Sequence, residues 1–215
     1  MYNLLFDFDG TLFDTDSAHE LAFQKTFTAF SLGECPPYES LKGIKTKDVF
    51  ANYSDDEDMV KKLASYKSQT YQADLNAIKA LVDFDLIRQL KSAGNRVFIV
   101  TGGSRLSIDL LLNMHQIAGF FDGIIAANDY TKSKPDPEPF LTCISKFNIS
   151  GSMHGIEDSM QGIESLKNAG IFAVGVHNPL IAKKSDLYFP EINEYLKYLI
   201  VFSGSFGVYS PKPKT

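Results

Sequence analysis

The sequence contains little cysteine and no run of apolar residues long enough to cross a membrane. Its two cysteines, Cys35 and Cys143, lie far apart without metal-ligand spacing, so a reduced, cytoplasmic setting is expected. No positively charged apolar leader precedes Asp7, and the most apolar stretch near the end is interrupted by Lys197 and Ser203. These absences predict a protein that is neither exported nor membrane-spanning.

Positive charge is also in short supply. The 215 residues carry 21 Lys and Arg against 26 Asp and Glu, which gives a formal net charge of -5. This balance argues against a general binder of nucleic acid or anionic membranes, and an anionic substrate would need local positive charge. The length suits one domain of good size, or one domain with a smaller insert, and allows a substantial core without disulfides.

The beginning of the chain joins an apolar run to acidic residues. Residues 2–6 have the features of a buried strand, and Asp7-Phe8-Asp9-Gly10-Thr11 follows where that strand ends. Open α/β sheets place their chemistry at the carboxyl ends of strands. Two carboxylates this close would repel each other unless a cation or hydrogen bonds held them, so the stretch predicts a bound metal.

The stretch from residue 14 to 81 contains no convincing strand and predicts a helical insert. Ser17 and Ser54 each stand three residues before a glutamate, which is the spacing of a capping box, and they mark two expected helix starts. Phe23 and Phe27 fall on one face of the first helix and are expected in a core. The insert would cover the strand ends as a lid.

The remainder of the chain alternates between strands and helices, which is typical of a parallel sheet with right-handed crossovers. The predicted fold class is α/β, with a Rossmann-like, mostly parallel sheet flanked by helices and a small all-helical cap domain inserted after the first strand. Residues 1–13 and 82–202 would form the catalytic core, 14–81 the cap, and 203–215 a loosely held tail. Further strands are expected at 96–100, 123–127, 153–156, 171–176 and 186–189.

Polar residues follow four of the expected strands in turn. They are Asp7 and Asp9 after the first, Thr101 after the second, Lys134 after the third, and Glu157 and Asp158 after the fourth. In a parallel sheet these ends face one crevice, so the residues should converge on one acidic site. Such a set suits phosphoryl transfer, which needs a nucleophile, a divalent cation and fixed donors for the transferring oxygens. A carboxylate can be that nucleophile through an aspartyl-phosphate, and Mg²⁺ prefers hard oxygen ligands.

Taken in order, these motifs resemble those of the haloacid dehalogenase superfamily, and in particular its phosphoglycolate phosphatase and beta-phosphoglucomutase branch. The motifs are Asp7-Phe8-Asp9-Gly10-Thr11, Thr101, Lys134-Pro135-Asp136-Pro137 and Glu157-Asp158-Ser159. The resemblance covers nearly the whole chain. It implies a Mg²⁺-dependent phosphatase that hydrolyses a small phosphomonoester metabolite through an aspartyl-phosphate intermediate.

The resemblance also implies roles for individual residues. Asp7 would be the nucleophile, and Asp9 the general acid that protonates the leaving alkoxide and then activates water. The phosphoryl oxygens would be held by Thr101, Gly102 and Lys134.

The resemblance further implies a metal site and contacts from the cap. The Mg²⁺ ligands would be Asp7, the backbone carbonyl of Asp9 and Asp158, with Glu157 orienting the water shell. The substrate contacts from the cap would be His19, Lys45 and Lys47.

Two other functions stay open. The nearer one is a beta-phosphoglucomutase-like phosphosugar mutase, but Thr46 stands where those mutases have an arginine for the distal phosphate. Lys45 or Lys47 could substitute, although a lysine does not reproduce bidentate phosphate binding. A non-catalytic, receiver-like phosphoacceptor domain would also gather Asp, Thr and Lys at strand ends, but receivers lack a helical insert after the first strand. The identity of the substrate and the oligomeric state stay undetermined.

Overall fold

The computed structural model describes residues 1–73 and 75–203, and within them six strands form one parallel sheet. The strands are β1 (Asn3–Phe6), β2 (Arg96–Val100), β3 (Gly123–Ile125), β4 (Met153–Glu157), β5 (Phe172–Val176) and β6 (Leu187–Phe189). Their order across the sheet is β3-β2-β1-β4-β5-β6. Because β1 lies between β2 and β4, its carboxyl end opens beside the ends of both neighbours.

Eight α-helices accompany the sheet within the same residues. They are α1 (Asp16–Ala29), α2 (Thr46–Ala51), α3 (Glu57–Gln72), α4 (Phe84–Ser92), α5 (Arg105–Met114), α6 (Glu138–Lys146), α7 (Met160–Asn168) and α8 (Ile192–Ser203). Helices α1, α2 and α3 all come between β1 and β2. The predicted α/β class, parallel sheet and helical cap after the first strand are therefore confirmed. The exact domain bounds stay a prediction.

The sheet is buried on both faces, as the continuous apolar character of β1 requires. Leu4 and Phe6 pack on one side in a cluster with α4, α5 and α8, and Leu5 packs on the other side with α6 and α7. This alternation follows from the two-residue period of a strand. The two layers of helices fix the strand ends in one crevice.

The cap has a hydrophobic core of its own. Phe23 and Phe27 of α1 pack with Val49 and Phe50 of α2 and with Leu63 of α3. The expectation that the phenylalanine stripe of α1 lies in a core is confirmed. A separate core lets the three cap helices keep their arrangement while they cover the sheet.

Both capping-box predictions are wrong about where the helices start. Helix α1 begins at Asp16, one residue before Ser17, after an N-cap threonine whose side chain makes no capping bond. Helix α3 begins at Glu57, because the Asp56 carboxylate accepts the Asp58 N–H at 2.9 Å and caps the helix. Ser54 lies outside α3. Only at α3 does another side chain, the Asp56 carboxylate, take the capping role that the serine spacing suggested.

Two further differences from the sequence-based prediction concern the end of a strand and a helix that was not predicted. Strand β3 ends at Ile125 rather than at residue 127, because the Asp129 carboxylate accepts the Ala126 N–H at 2.9 Å and turns the chain. The sequence-based prediction contains no element at the position of helix α8. Residues 204–215 of the predicted tail lie outside the described residues. Among the helices that the structure describes, none is long and apolar enough to cross a membrane.

Candidate active site

Three carboxylates meet where β1 and β4 end. Asp7 follows β1, Glu157 is the last residue of β4, and Asp158 comes next. Each residue is buried and offers one carboxylate oxygen within 4.8 Å of the others. The predicted convergence of these acids therefore occurs, and it occurs because β1 and β4 are parallel neighbours in register.

Lys134 lies between two of these acids. Its ammonium donates to Asp7 Oδ1 at 2.6 Å, to Glu157 Oε1 at 2.5 Å and to the Val100 carbonyl at 3.2 Å. Burial would lower the pKa of Lys134, but the carboxylates of Asp7 and Glu157 raise it above its ordinary value. Lys134 is therefore a permanent positive charge in the crevice.

When all three acids are ionised, they carry more negative charge than the adjacent Lys134 and Lys42 neutralise. Burial raises the pKa of Asp7 well above its ordinary value, and the charge of Glu157 raises it further against the opposing Lys134. Burial likewise raises the pKa of Asp158 to about 7, although Lys42 opposes the shift. A divalent cation would supply the missing charge, and buried carboxylate oxygens are the hard ligands that Mg²⁺ prefers. The donor set therefore fits Mg²⁺.

Close backbone approaches hold the acids in place. Gly10 has a φ of +77°, and a Cβ there would lie 2.3 Å from Asp158 Oδ2. A Cβ on Gly162, in the first turn of α7, would lie 1.9 Å from Glu157 Cδ. The Thr11 hydroxyl adds a hydrogen bond to Asp158 Oδ1 at 3.2 Å. These two positions require glycine because neighbouring carboxylates fill the space of a side chain.

Asp9 points toward the cap. Its carboxylate lies 2.9 Å from His19 Nε2 and accepts from Thr101 Oγ1 at 3.3 Å. Lys67 Nζ lies 2.5 Å from His19 Nδ1. Because an ammonium can only donate, Nδ1 accepts and Nε2 carries the hydrogen that is donated to Asp9. Burial would raise the pKa of Asp9, but His19 lowers it to about 2, so Asp9 is ionised in the absence of substrate.

Lys67 was not singled out in the sequence. Leu63, Lys67 and Tyr71 are the buried positions of α3 and recur at a spacing of four residues. A lysine within such a stripe was the signal in the sequence that could have identified Lys67, because a lysine on a buried helix face needs a polar partner. Burial lowers the pKa of Lys67 to about 8, and burial together with Lys67 lowers the pKa of His19.

Lys42 is a second residue that the sequence did not single out. It belongs to the same stretch as Lys45 and Lys47, and its ammonium lies 2.9 Å from Asp158 Oδ2 and 2.5 Å from Asp16 Oδ2. Burial would lower the pKa of Lys42, but the carboxylates of Asp158 and Asp16 raise it above its ordinary value. The signal was weak, because three lysines within six positions have no spacing that selects one of them.

The lysines predicted to contact substrate have different surroundings. Lys45 donates to the carbonyls of Tyr130 and Thr131 at 3.1 and 2.5 Å, so it fastens the cap to a loop of the core. Lys47 is exposed and lines a cavity between cap and core. The prediction that Lys45 and Lys47 contact the substrate stays a prediction. His19, the third predicted contact, is hydrogen-bonded to Asp9 in the active site.

Two adjacent spaces lie between the cap and the sheet. The inner pocket, about 40 Å³, is bounded by Asp7, Asp158 and the cap residues Lys42 and Gly43. The outer cavity, about 670 Å³, lies between α3 of the cap and the start of α5 in the core. The residues lining both spaces include Asp9, His19, Lys67, Gly102 and Gly103. Asp9 therefore lies at the junction of the two spaces.

The profile of one protein family, described as Haloacid dehalogenase-like hydrolase, matches residues 4–176. The chain belongs to the haloacid dehalogenase-like hydrolase family. The family predicted from the ordered motifs, and the prediction of a hydrolase, are confirmed. Membership of this family also argues against the receiver-like alternative.

Relatives within the family include a phosphatase and two mutases. The validoxylamine A 7'-phosphate phosphatase of Streptomyces hygroscopicus subsp. limoneus is 28% identical over 214 aligned positions, which cover 90% of this chain and 96% of that protein. The beta-phosphoglucomutase of Bacillus subtilis is 29% identical over 195 positions, covering 82% and 83%. The crystal structure of beta-phosphoglucomutase from Clostridium difficile has a TM-score of 0.80 at 27% identity, covering 93% of this chain and 97% of that one.

Proposed function

We propose that the protein is a Mg²⁺-dependent phosphatase that hydrolyses a small phosphomonoester metabolite through an aspartyl-phosphate on Asp7. The observation that carries this proposal is the position of Asp9 at the junction of the inner pocket and the outer cavity. A phosphoryl group at Asp7 and a leaving group in the outer cavity would place the leaving oxygen beside Asp9. A general acid is needed at that position.

Asp7 is the proposed nucleophile because it is buried in the inner pocket with one oxygen held by Lys134. Its ionised form attacks phosphorus, so the charge that surrounds it has to be balanced. When bound, Mg²⁺ supplies positive charge that favours ionised Asp7 and neutralises phosphoryl oxygens. Asp7, the backbone carbonyl of Asp9 and Asp158 would hold the ion, and Glu157 would orient its water ligands.

Asp9 would move the proton. A bound phosphate group brings negative charge next to Asp9 and raises its pKa from the low value of the substrate-free state. Protonated Asp9 then gives its proton to the leaving alkoxide while the oxygen–phosphorus bond breaks. The resulting carboxylate takes a proton from the water that attacks the aspartyl-phosphate. His19 would hold Asp9 in place for both steps.

Thr101, Gly102 and Lys134 would bind the phosphoryl oxygens. Thr101 and Gly102 border the inner pocket, and the Lys134 ammonium donates to Asp7, which borders the same pocket. Fixed donors at these positions would stabilise charge that develops on the transferring group.

A phosphosugar mutase is the second candidate, because two of the relatives reported above carry that name. The two functions share the transfer to Asp7 and differ in what accepts the phosphoryl group next. Thr46, at the position of the mutase arginine, and the engagement of Lys45 with core carbonyls both favour the phosphatase.

The test is a panel of phosphomonoesters with Mg²⁺, assayed for released phosphate and for isomerised product. We expect phosphate release over many turnovers, with loss of activity on chelation and recovery when Mg²⁺ is added back. Asp7→Asn should abolish release while circular dichroism and thermal unfolding show an intact fold. Multiple turnover by Asp7→Asn would refute the mechanism, and isomerised product without net release would favour the mutase.

A further inference from the structure

The outer cavity has a size and a lining that define a substrate class. Building on the proposed function, we propose that the alcohol carrying the phosphate is a polyhydroxylated compound of about disaccharide size, rather than glycolate, a second phosphate or a nucleoside. The phosphate would enter the inner pocket, and the alcohol would lie between α3 and the start of α5. The volume of the cavity and the accessible groups of its lining both favour such an alcohol.

The volume of the cavity favours a leaving group larger than glycolate or phosphate. At about 670 Å³, the cavity falls within the range of roughly 300–1,000 Å³ in which proteins bury drug-sized ligands. It would hold about twenty water molecules at about 30 Å³ each. Glycolate or phosphate would leave most of this space hydrated and most lining groups without a contact. A two-ring alcohol occupies much more of it and can reach groups on both walls.

The accessible polar groups of the lining are hydroxyls, an amide, ammonium groups and the carboxylates of Asp48 and Asp9. The cap wall presents Ser65 and Ser68 of α3, and the core wall presents Ser104, Asn128 and Thr131, all partly or fully exposed. Gln69 donates to Ser65 Oγ at 3.4 Å, and Gln72 donates to Ser68 Oγ at 3.2 Å. These bonds use serine lone pairs and leave each serine hydrogen for a ligand. Hydroxyl groups along two facing walls match an alcohol with hydroxyls on both faces.

The aromatic residues of the lining do not offer a platform for a nucleobase. Phe8, Tyr71 and Tyr130 are 1%, 2% and 7% exposed. The Tyr71 ring stacks on His19 at 4.1 Å, and the Lys45 ammonium lies over the Tyr130 ring at 4.8 Å. Because their faces are already covered, a base entering the cavity would find no ring to stack on among the described lining residues. The lining therefore favours a sugar-like alcohol over a nucleoside.

The test compares substrates of increasing size under one assay: phosphoglycolate, glucose 6-phosphate and trehalose 6-phosphate, with adenosine 5'-monophosphate as the nucleoside arm. We expect kcat/KM to rise at least about tenfold from phosphoglycolate to trehalose 6-phosphate. Ser65→Phe places a bulky ring on the cap wall and should lower the ratio of these two values about tenfold. Lys62→Phe, on the same helix but outside the lining, should leave the ratio unchanged.

The outcomes separate this inference from the proposed function. Phosphate release from any of these esters or from p-nitrophenyl phosphate supports the phosphatase, and its absence from all of them refutes the proposed function. In that case, calorimetric binding of trehalose 6-phosphate and phosphoglycolate to Asp7→Asn decides the substrate class. Equal or higher kcat/KM or affinity for phosphoglycolate or for adenosine 5'-monophosphate overturns the inference. An unchanged ratio in Ser65→Phe overturns the assignment of the cavity.

Discussion

The Lys134 ammonium donates to Asp7 Oδ1 at 2.6 Å, although the two residues are 127 positions apart in the chain. The Lys134 side chain is 0% exposed, and it also contacts Glu157, whose side chain is equally inaccessible. Buried carboxylates without a partner are very costly, so this lysine is a structural requirement as well as a proposed phosphate ligand. The same residue therefore links the stability of the fold to the chemistry of the site.

Lys134→Met should lower the free energy of unfolding of the metal-free protein by about 3–5 kcal/mol, because it leaves two buried carboxylates without their shared partner. Urea denaturation in the presence of a chelator measures the effect. Lys132→Met is the matched control, since that side chain is 71% exposed and lies 3.6 Å from Asp136. It should cost at most about 1 kcal/mol. Similar losses in both variants would contradict the structural role.

Gly162→Ala should destabilise the protein although alanine is the better helix former. Alanine gains about 1 kcal/mol of helix propensity over glycine. Its Cβ, however, would lie 1.9 Å from Glu157 Cδ, so the carboxylate or the start of α7 has to move. We expect a net loss of about 1–3 kcal/mol in denaturation experiments, together with weaker phosphatase activity.

Gly119→Ala provides the control for this substitution. A Cβ on Gly119 would meet nothing within 4 Å, and its φ lies outside the left-handed region. Its effect on unfolding should stay within about 0.5 kcal/mol. If Gly162→Ala is as stable as the parent protein, the close packing of Gly162 on Glu157 is not what holds that acid.

The order of strands and motifs was accessible from the sequence because it depends on local signals. Apolar runs that end in polar residues predicted that Asp7, Lys134 and Glu157 would meet, since parallel strands bring their ends together. Lys42 and Lys67 were not accessible in the same way. Their partners, Asp158 and His19, lie 116 and 48 positions away. The packing of the cap on the core brings Lys42 to Asp158, and the packing of α1 on α3 within the cap brings Lys67 to His19.

Lys42→Met should strengthen the binding of a divalent ion. The Lys42 ammonium lies 2.9 Å from Asp158 Oδ2, where it neutralises an oxygen that we assign to the metal and repels an incoming cation. We expect the affinity for Mn²⁺, measured by electron paramagnetic resonance without substrate, to rise about tenfold, or about 1.4 kcal/mol. Lys62→Met, which removes an exposed lysine of α3, should leave the affinity unchanged. Unchanged or weaker binding in Lys42→Met would show that its ammonium does not compete with the ion.

The burial of Lys67 predicts a pH dependence of stability that a substitution can isolate. Its pKa is about 8 in the folded protein, against an ordinary value of 10.5. Between these values the unfolded chain holds a proton that the folded chain has released, so this residue makes stability rise with pH across the window. The difference corresponds to about 3 kcal/mol, at about 1.4 kcal/mol for each pH unit.

Lys67→Met removes this contribution and leaves the other titrating lysines, tyrosines and cysteines unchanged. The quantity to compare is the free energy of unfolding of Lys67→Met minus that of the parent protein. We expect this difference to fall by up to about 3 kcal/mol between pH 7.5 and pH 10.5, because only the parent gains stability from Lys67 as the pH rises. Urea denaturation at fixed pH values gives the difference, and Lys62→Met should run parallel to the parent protein. A pH-independent difference between Lys67→Met and the parent would mean that Lys67 keeps its ordinary pKa. The Lys67 ammonium would then be hydrated or paired with a negative charge in solution, and burial beside His19 would not lower its pKa.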